Sequence, residues 1–561
     1  MKKRLLKAIA ITLSAATIMG VATGCGGSTT SSSPEANAST QATSAGNSDI
    51  TEKDGFFYSK TPVTFTMLFS DNSAYPYKEN WSFFKTLQEK TNVKLNLTVV
   101  PMSDYNNKRS VLISSGQEPE IIPKTYPGSE DQFVTSGQIL PVSDYVSQMP
   151  NYSKSVKDWK LEDDLKTITQ ADGKYYVLPE LHESYIQDYS IAMRTDILKK
   201  NNIKVPTTWD ELESVLKQLK KLYPNITPFS DRWQLGATLQ LAGPAFVKTA
   251  TGLKGTDADW SPATPLRYNP DKNNFDFYPT TNEYKTELTY FHKLIAEGLL
   301  DKESATQSSD QAKNKFATGK SFAISCNSQE LKVCKTMMDA SLGKGKYEAT
   351  KINVLAGPAG KNISGNRLEN GILITKKAKE DKNFSTLLKF VDWLWYSYKG
   401  EEFCKWGVEG ETFTKTGDSY KLKDNLTLPN YGLNPNAKNA KDFRKDLGYG
   451  GGVFVLSYGG PNALAYSYMT KEDIKFAENS SASNTLLPNA PKIGYDDDTH
   501  ESQTMLESTL KDYMNQMSYK FILGQANIDT DWNTYVKTFQ NKGSTKYTQA
   551  ANDAYAKQTK K

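Results

Sequence analysis

Histidine and cysteine are scarce in this chain of 561 residues. Its three histidines, His182, His292 and His500, stand far apart, and no HExxH or CxxC spacing occurs, so no metal centre is expected. With Cys25 set aside for reasons given below, Cys326, Cys334 and Cys404 remain. An odd set cannot pair completely within one chain, so no disulfide framework is implied; one bridge or three small buried residues both satisfy the count. Phosphate and dinucleotide loops are also missing. Gly319-Lys320-Ser321 lacks the glycine a P-loop places five residues earlier, where Asn314 stands. Gly448-Tyr449-Gly450-Gly451-Gly452 has neither a clear strand before it nor a helix after it. No cofactor is therefore expected, and no internal repeat is visible. Excess charge is lacking too. The formal net charge is +5, but Lys2, Lys3, Arg4 and Lys7 supply four of those charges within the first 24 residues, which hold no acid, so the remainder carries +1. Nucleic acid loses the basic footprint it would need as a partner.

What is present begins at the N-terminus. Lys2, Lys3 and Arg4 precede a mostly apolar run from Leu5 to Val21, interrupted by Lys7, too short to span a bilayer and followed by no stop-transfer pattern. That order is a secretory signal peptide, 1–24. Ala22-Thr23-Gly24-Cys25 resembles the lipobox of bacterial lipoproteins, with Ala22 where a large aliphatic residue is usual. The resemblance implies that Cys25 becomes the lipidated first residue of the mature protein, held by a lipid anchor at the extracellular face of the cell membrane. An ordinary secreted protein with an incidental cysteine is the alternative. Residues 25–55 are largely Ser, Thr, Ala, Asn and Gly, too polar to offset their ordering entropy, and read as a flexible tether.

The remaining ~500 residues exceed what one small core organises, so two lobes or more are expected. The body opens with alternating strands at 62–69 and 93–100, separated by an amphipathic helix from Trp81 to Lys90. A helix from Tyr105 to Ser114 and a short strand at Glu120-Ile121-Ile122-Pro123 follow. Strand, helix, strand, helix, strand at this spacing implies a parallel sheet with crossover helices, and ligands lie beyond the carboxyl ends of such strands. Thr207 or Thr208 is placed to cap a helix from Trp209, with Leu212, Val215, Leu216 and Leu219 on one face; Trp209 is assigned to packing.

Several segments resemble the extracellular solute-binding proteins of ABC importers, specifically the oligosaccharide-binding group. These are Ser115-Gly116-Gln117-Glu118-Pro119-Glu120-Ile121-Ile122, Gly137-Gln138-Ile139-Leu140-Pro141-Val142, and Asp172-Gly173-Lys174-Tyr175-Tyr176-Val177-Leu178-Pro179. Arg194-Thr195-Asp196 followed by Pro206-Thr207-Thr208-Trp209-Asp210-Glu211-Leu212, and then Phe316-Ala317-Thr318-Gly319-Lys320, continue the order. The resemblance implies an α/β fold of two lobes, like the periplasmic binding proteins, with the ligand cleft between them. The expected division is 56–183 plus 372–440 for the N-terminal lobe and 184–371 plus 441–561 for the C-terminal lobe. It also implies a monomeric receptor that hands an oligosaccharide to ABC permease subunits and catalyses nothing. Some relatives carry a calcium loop after the Trp209 helix. Here Leu222-Tyr223-Pro224-Asn225-Ile226-Thr227-Pro228 lacks the carboxylates and glycine, so no metal is carried over. Asp271-Lys272-Asn273-Asn274-Phe275-Asp276 lacks the turn glycine and closing glutamate and reads as a hairpin or loop.

Sugar rings offer apolar faces to aromatic side chains and hydroxyls to polar ones, so aromatic–polar pairs in loops after strands are the candidate ligand contacts. They are Asp71, Tyr75 and Tyr77 in the first loop, Tyr126 after the third strand, Asp231 and Trp233 in the second lobe, Asn327 past a later strand, and Glu409 in Trp406-Gly407-Val408-Glu409-Gly410. Trp233, Asp71 and Asn327 are favoured. A secreted glycoside hydrolase would show the same aromatics and carboxylates, and a surface adhesin or a receptor for a peptide or other solute is a further reading.

Overall fold

A computed structural model describes residues 49–73, 75–251, 264–450 and 459–560. The expected signal peptide, Cys25 and the tether up to residue 48 lie outside the described residues. Ile50–Lys53 pairs antiparallel with Phe56–Ser59, and Phe56 and Phe57 are buried against Trp393 and Phe390.

The first lobe is built on Val63–Asp71. Phe65, Met67, Leu68 and Phe69 are all buried, so this strand lies within the sheet rather than at its edge. Val93–Pro101 pairs with it in parallel from Val63↔Val93 to Asp71↔Pro101, and Ile121–Ile122 pairs in parallel on its other side. The helix Ser82–Thr91 between the first two strands buries Phe83 and Leu87 and stops at Asn92, which takes a left-handed conformation. Two strands from elsewhere complete the sheet. Leu368–Ile374 runs antiparallel beside Ile121–Ile122, and Leu178–Leu181 runs antiparallel beside Leu368–Ile374. The parallel opening is thus accurate, and the antiparallel returns are not encoded locally.

The second lobe has a three-stranded antiparallel sheet, Ser190–Arg194 between Ala323–Cys326 and Ala349–Lys351, within a shell of helices. Trp209–Leu222 starts as its sequence dictates. The Thr208 side chain accepts from the Glu211 N–H, while the Glu211 carboxylate accepts from the Thr207 N–H and hydroxyl. Trp209 is buried against Phe246, Tyr290 and Phe291, a packing residue. Asp271–Asp276 falls in the hairpin of Leu266–Asn269 and Asn274–Phe277.

Two large hydrophobic clusters mark the lobes. One draws on residues 56–181 and 368–468, the other on 191–355 and 510–555. Phe443 and Tyr449 belong to the first, stacked on each other 5.1 Å apart. Leu368, expected in the second lobe, is also in the first cluster. The chain passes between lobes near 181–190, 352–368 and 459–470, and these segments touch. Gly460 N–H donates to Leu181 O (2.7 Å) and His182 N–H to Arg367 O (2.9 Å). A Cβ on Gly459 would stand 2.5 Å from Leu181 O, so only glycine allows this approach.

One carboxylic acid lies deep in the second core. Glu287, on Asn282–Ala296, is fully buried and accepts from the Thr251 hydroxyl (2.6 Å), while its other oxygen has no partner. Burial lifts its pKa from 4.5 to about 8. Between those values the folded state binds the extra proton, so stability falls as pH rises from 4.5 towards 8. Glu287→Gln is expected to remove part of that slope and to raise the unfolding midpoint at pH above 8 relative to the parent, measured by denaturant titration across pH. A parallel shift at every pH would contradict it.

Candidate functional site

The second-lobe sheet ends beside the crossing segments, where Ser328 donates from its N–H to Asp188 (3.0 Å). In the second lobe, Ala323–Cys326 ends at Asn327, whose side chain accepts from the Glu330 N–H (2.8 Å) and caps Ser328–Met338. Asp231 is completely buried beneath this strand end. Its carboxylate accepts from the Ser325 hydroxyl (2.6 Å) and backbone (3.3 Å) and from the Thr238 hydroxyl. Burial raises its pKa, with Arg232 opposing. Asp231 is therefore sealed inside the lobe, where it supports its neighbours.

What it supports is Arg232 and Trp233. Arg232 is fully buried, with Glu330 at 3.5 Å and no hydrogen bond from its guanidinium. Burial acts most strongly on it and disfavours the charge, but Glu330 and Asp231 outweigh that and raise its pKa. Its guanidinium lies 4.1 Å from the centre of the Trp233 ring, and Tyr189 stands 6.4 Å from the same ring. Trp233, Gln234 and Leu235 follow one another with φ of 52°, 53° and 66°. Left-handed conformation costs ~1–2 kcal/mol for each bulky residue. Such a run persists because its surroundings impose it: Leu235 is buried and Tyr519 donates to Gln234 O (2.8 Å). The result is a partly exposed indole held rigidly on a buried cation.

In the first lobe, Asp71 ends the central strand and accepts from the Tyr77 N–H (2.7 Å). Tyr77 packs against Phe69, Trp81 and Phe84, so it supports the loop. Asn72 donates to the Tyr75 hydroxyl (3.0 Å). Tyr75 lies under the Arg444 guanidinium, 4.9 Å away, and burial raises its pKa to about 12 against the pull of Arg444. Arg444 also stands 5.3 Å from Tyr431. Tyr126 is lifted to about 12, first by burial and then by Glu369 and Glu180, which belong to the strands at the crossing. Glu409 is exposed in the turn between Tyr398–Trp406 and Phe413–Thr416.

The structure thus gathers Asp231, Trp233 and Asn327 around Arg232 and Glu330, and Asp71, Tyr75 and Tyr77 around one loop. Sequence reasoning missed Tyr189, Arg444 and Tyr431 as partners, and an ion network where the crossing segments enter the second lobe. There Lys351 Nζ donates to Asp188 Oδ1 (2.6 Å) and the Ser328 hydroxyl (2.6 Å), lies 3.7 Å from Asp473, and faces the Phe476 ring at 4.2 Å. Asp188, Lys351 and Asp473 flank the first, second and third crossings in turn. No sequence spacing announces such a set. Among the described residues no group of His, Cys, Asp and Glu is placed to hold a metal ion.

Residues 71–394 match the family described as bacterial extracellular solute-binding protein. The chain belongs to that family. YtcQ of Bacillus subtilis, named a polygalacturonan/rhamnogalacturonan-binding protein, is 24% identical over 490 residues, 84% of this chain and 87% of YtcQ. LipO of the same organism, a lipoprotein, is 24% identical over 347 residues, 61% of this chain and 64% of LipO, so the match spans less than two thirds of that relative. The solved structure of FusA, an ABC-transporter substrate-binding protein of S. pneumoniae in complex with kestose, aligns with TM-score 0.62 at 20% identity, covering 89% of this chain and all of FusA. The two-lobed α/β architecture is therefore shared. Among the described residues no helix is long and apolar enough to cross a membrane.

Gln234→Gly frees a left-handed position of its Cβ while leaving the backbone carbonyl that Tyr519 holds. It is expected to raise unfolding free energy by about 1 kcal/mol in denaturant titration. A loss of stability would mean that the glutamine side chain, which also meets Tyr519, holds the loop.

Proposed function

We propose that this solute-binding protein is the oligosaccharide receptor of an ABC importer, lipid-anchored through Cys25 outside the cell membrane, and that it binds without catalysis. The observation that carries the ligand class is the indole of Trp233, a rigid apolar plate backed by a buried guanidinium at 4.1 Å. A plate of this kind suits the C–H face of a sugar ring, and Tyr75, Asn72 and Asn327 offer hydroxyl partners. The names of YtcQ and FusA support the same class. In this reading the sugar contacts both lobes, so its differential affinity favours the closed arrangement, and two permease subunits read the paired lobe surfaces. The long polar segment after Cys25 gives the body reach from its anchor.

Thermal unfolding across a panel of oligosaccharides, with product analysis of each mixture, tests the reading. A sugar that binds only the folded protein raises stability by about 2.7 kcal/mol at a hundred times its dissociation constant. One sugar that shifts the midpoint and returns intact is the expected outcome, and Trp233→Ala should weaken its binding about tenfold. Cleaved sugar would move the protein to the hydrolases. Cys25→Ser is expected to release the protein from the membrane fraction into the medium; retention in the membrane would remove the lipid anchor from the proposal.

A further inference from the structure

Arg444 differs from Arg232, the buried arginine under Trp233, in its lack of a counter-charge. It is only 6% exposed, lies between the rings of Tyr75 (4.9 Å) and Tyr431 (5.3 Å), and has no carboxylate within 4.0 Å among the described residues. Nη2 donates to Gly450 O (2.8 Å) and the Tyr431 hydroxyl (3.3 Å), and Nε is buried with no partner among the described residues. Nearby carboxylates are engaged elsewhere. Asp442 accepts from the backbone N–H groups of Arg444 and Lys445, Asp446 pairs with Lys78 at 2.7 Å, and Asp71 faces the Tyr77 N–H. Desolvating a guanidinium without an anion is costly, and stacking on tyrosines offsets only part of the cost. Arg232, by contrast, has Glu330 and Asp231 beside it.

A second cation approaches the same place from the opposite lobe. Lys332, on Ser328–Met338, donates to the Tyr431 carbonyl (3.3 Å). Its nearest carboxylate, Asp473 at 3.9 Å, already accepts from the Thr470 hydroxyl (2.6 Å) and lies 3.7 Å from Lys351. Tyr431 is thus flanked by one cation from each lobe, next to the loop that ends the central strand. We infer that Arg444 and Lys332 form a subsite for a carboxylate of the solute, so that the oligosaccharide is an acidic one bearing uronate residues. This rests on the oligosaccharide-receptor reading and narrows it. The two cations attract the carboxylate by charge, with the lysine free to turn its ammonium towards it, while a neutral sugar leaves Arg444 uncompensated.

The test is calorimetric titration of the full chain with short oligomers of galacturonate, glucuronate and mannuronate, with their methyl esters, and with neutral oligosaccharides. An acidic oligomer is expected to bind, its methyl ester at least about tenfold more weakly, and added salt to weaken only the acid form. Arg444→Gln and Lys332→Gln should each weaken the acid form about tenfold and the ester less than about threefold. Lys332 is partly exposed on its helix, so its variant keeps the test open if Arg444→Gln does not fold. Equal binding of acid and ester, or a neutral sugar bound while every acidic oligomer is silent, overturns the subsite and leaves the receptor reading standing. Silence of the whole panel overturns both.

Discussion

Two cores in one chain are tied first where the chain crosses between them, and here the crossings hold each other. Gly460 bonds Leu181, His182 bonds Arg367, and Glu183 N–H reaches Gly460 O at 3.4 Å. These bonds need the backbones to touch, and Gly459 and Gly460 are the residues that let them. A Cβ at 460 would collide with the Glu401 carboxylate, at 1.8 Å, in a left-handed conformation with φ of 112°. Glu401 is itself buried, which raises its pKa to about 8, with Lys405 opposing.

At the far side of the crossings the restraint is ionic. Lys351 is nearly inaccessible, yet it has Asp188, Ser328 and Asp473 around its ammonium group. A buried ion pair adds little net stability, because desolvation offsets much of the attraction, but breaking one partner leaves an uncompensated charge at a cost of several kcal/mol. Its role is therefore one of geometry: it fixes where three segments enter the second lobe. Tyr189, next to Asp188, stands beside Trp233, so the same ties position the indole plate. The left-handed run at 233–235 is tolerated because buried neighbours on both sides impose it.

Electrostatic contrast between the two arginines organises the region between the lobes. Arg232 is a neutralised support under an aromatic ring, whereas Arg444 sits between two aromatic rings without an anion. Burial is almost the same at both, so the difference lies in the partners that the fold brings near. Asp231 makes the same point for acids. Its position in an aromatic loop suggested a ligand contact, and the fold turned it inward to Ser325 and Thr238.

Much of the first lobe was legible in the sequence, because its opening strands and helices show their own periodicity. The first half of strand 63–71 alternates, helix 82–91 carries one apolar face, and Thr208 with Glu211 announces the start of a later long helix. Ordered motifs over hundreds of residues added the family. The return of Leu368–Ile374 into the first sheet was not legible, nor was the attachment of Phe443 and Tyr449 to the first core, since both depend on pairing with partners hundreds of residues away. The same holds for the site. Trp233, Asp71 and Asn327 were visible as residue types beyond strand ends, but Arg444 stood in a charged loop with nothing to distinguish it. The sequence by itself determined the local elements, the family and the kind of chemistry available. Only the tertiary structure decided which charges found partners, because burial and counter-charge are properties of neighbours in space.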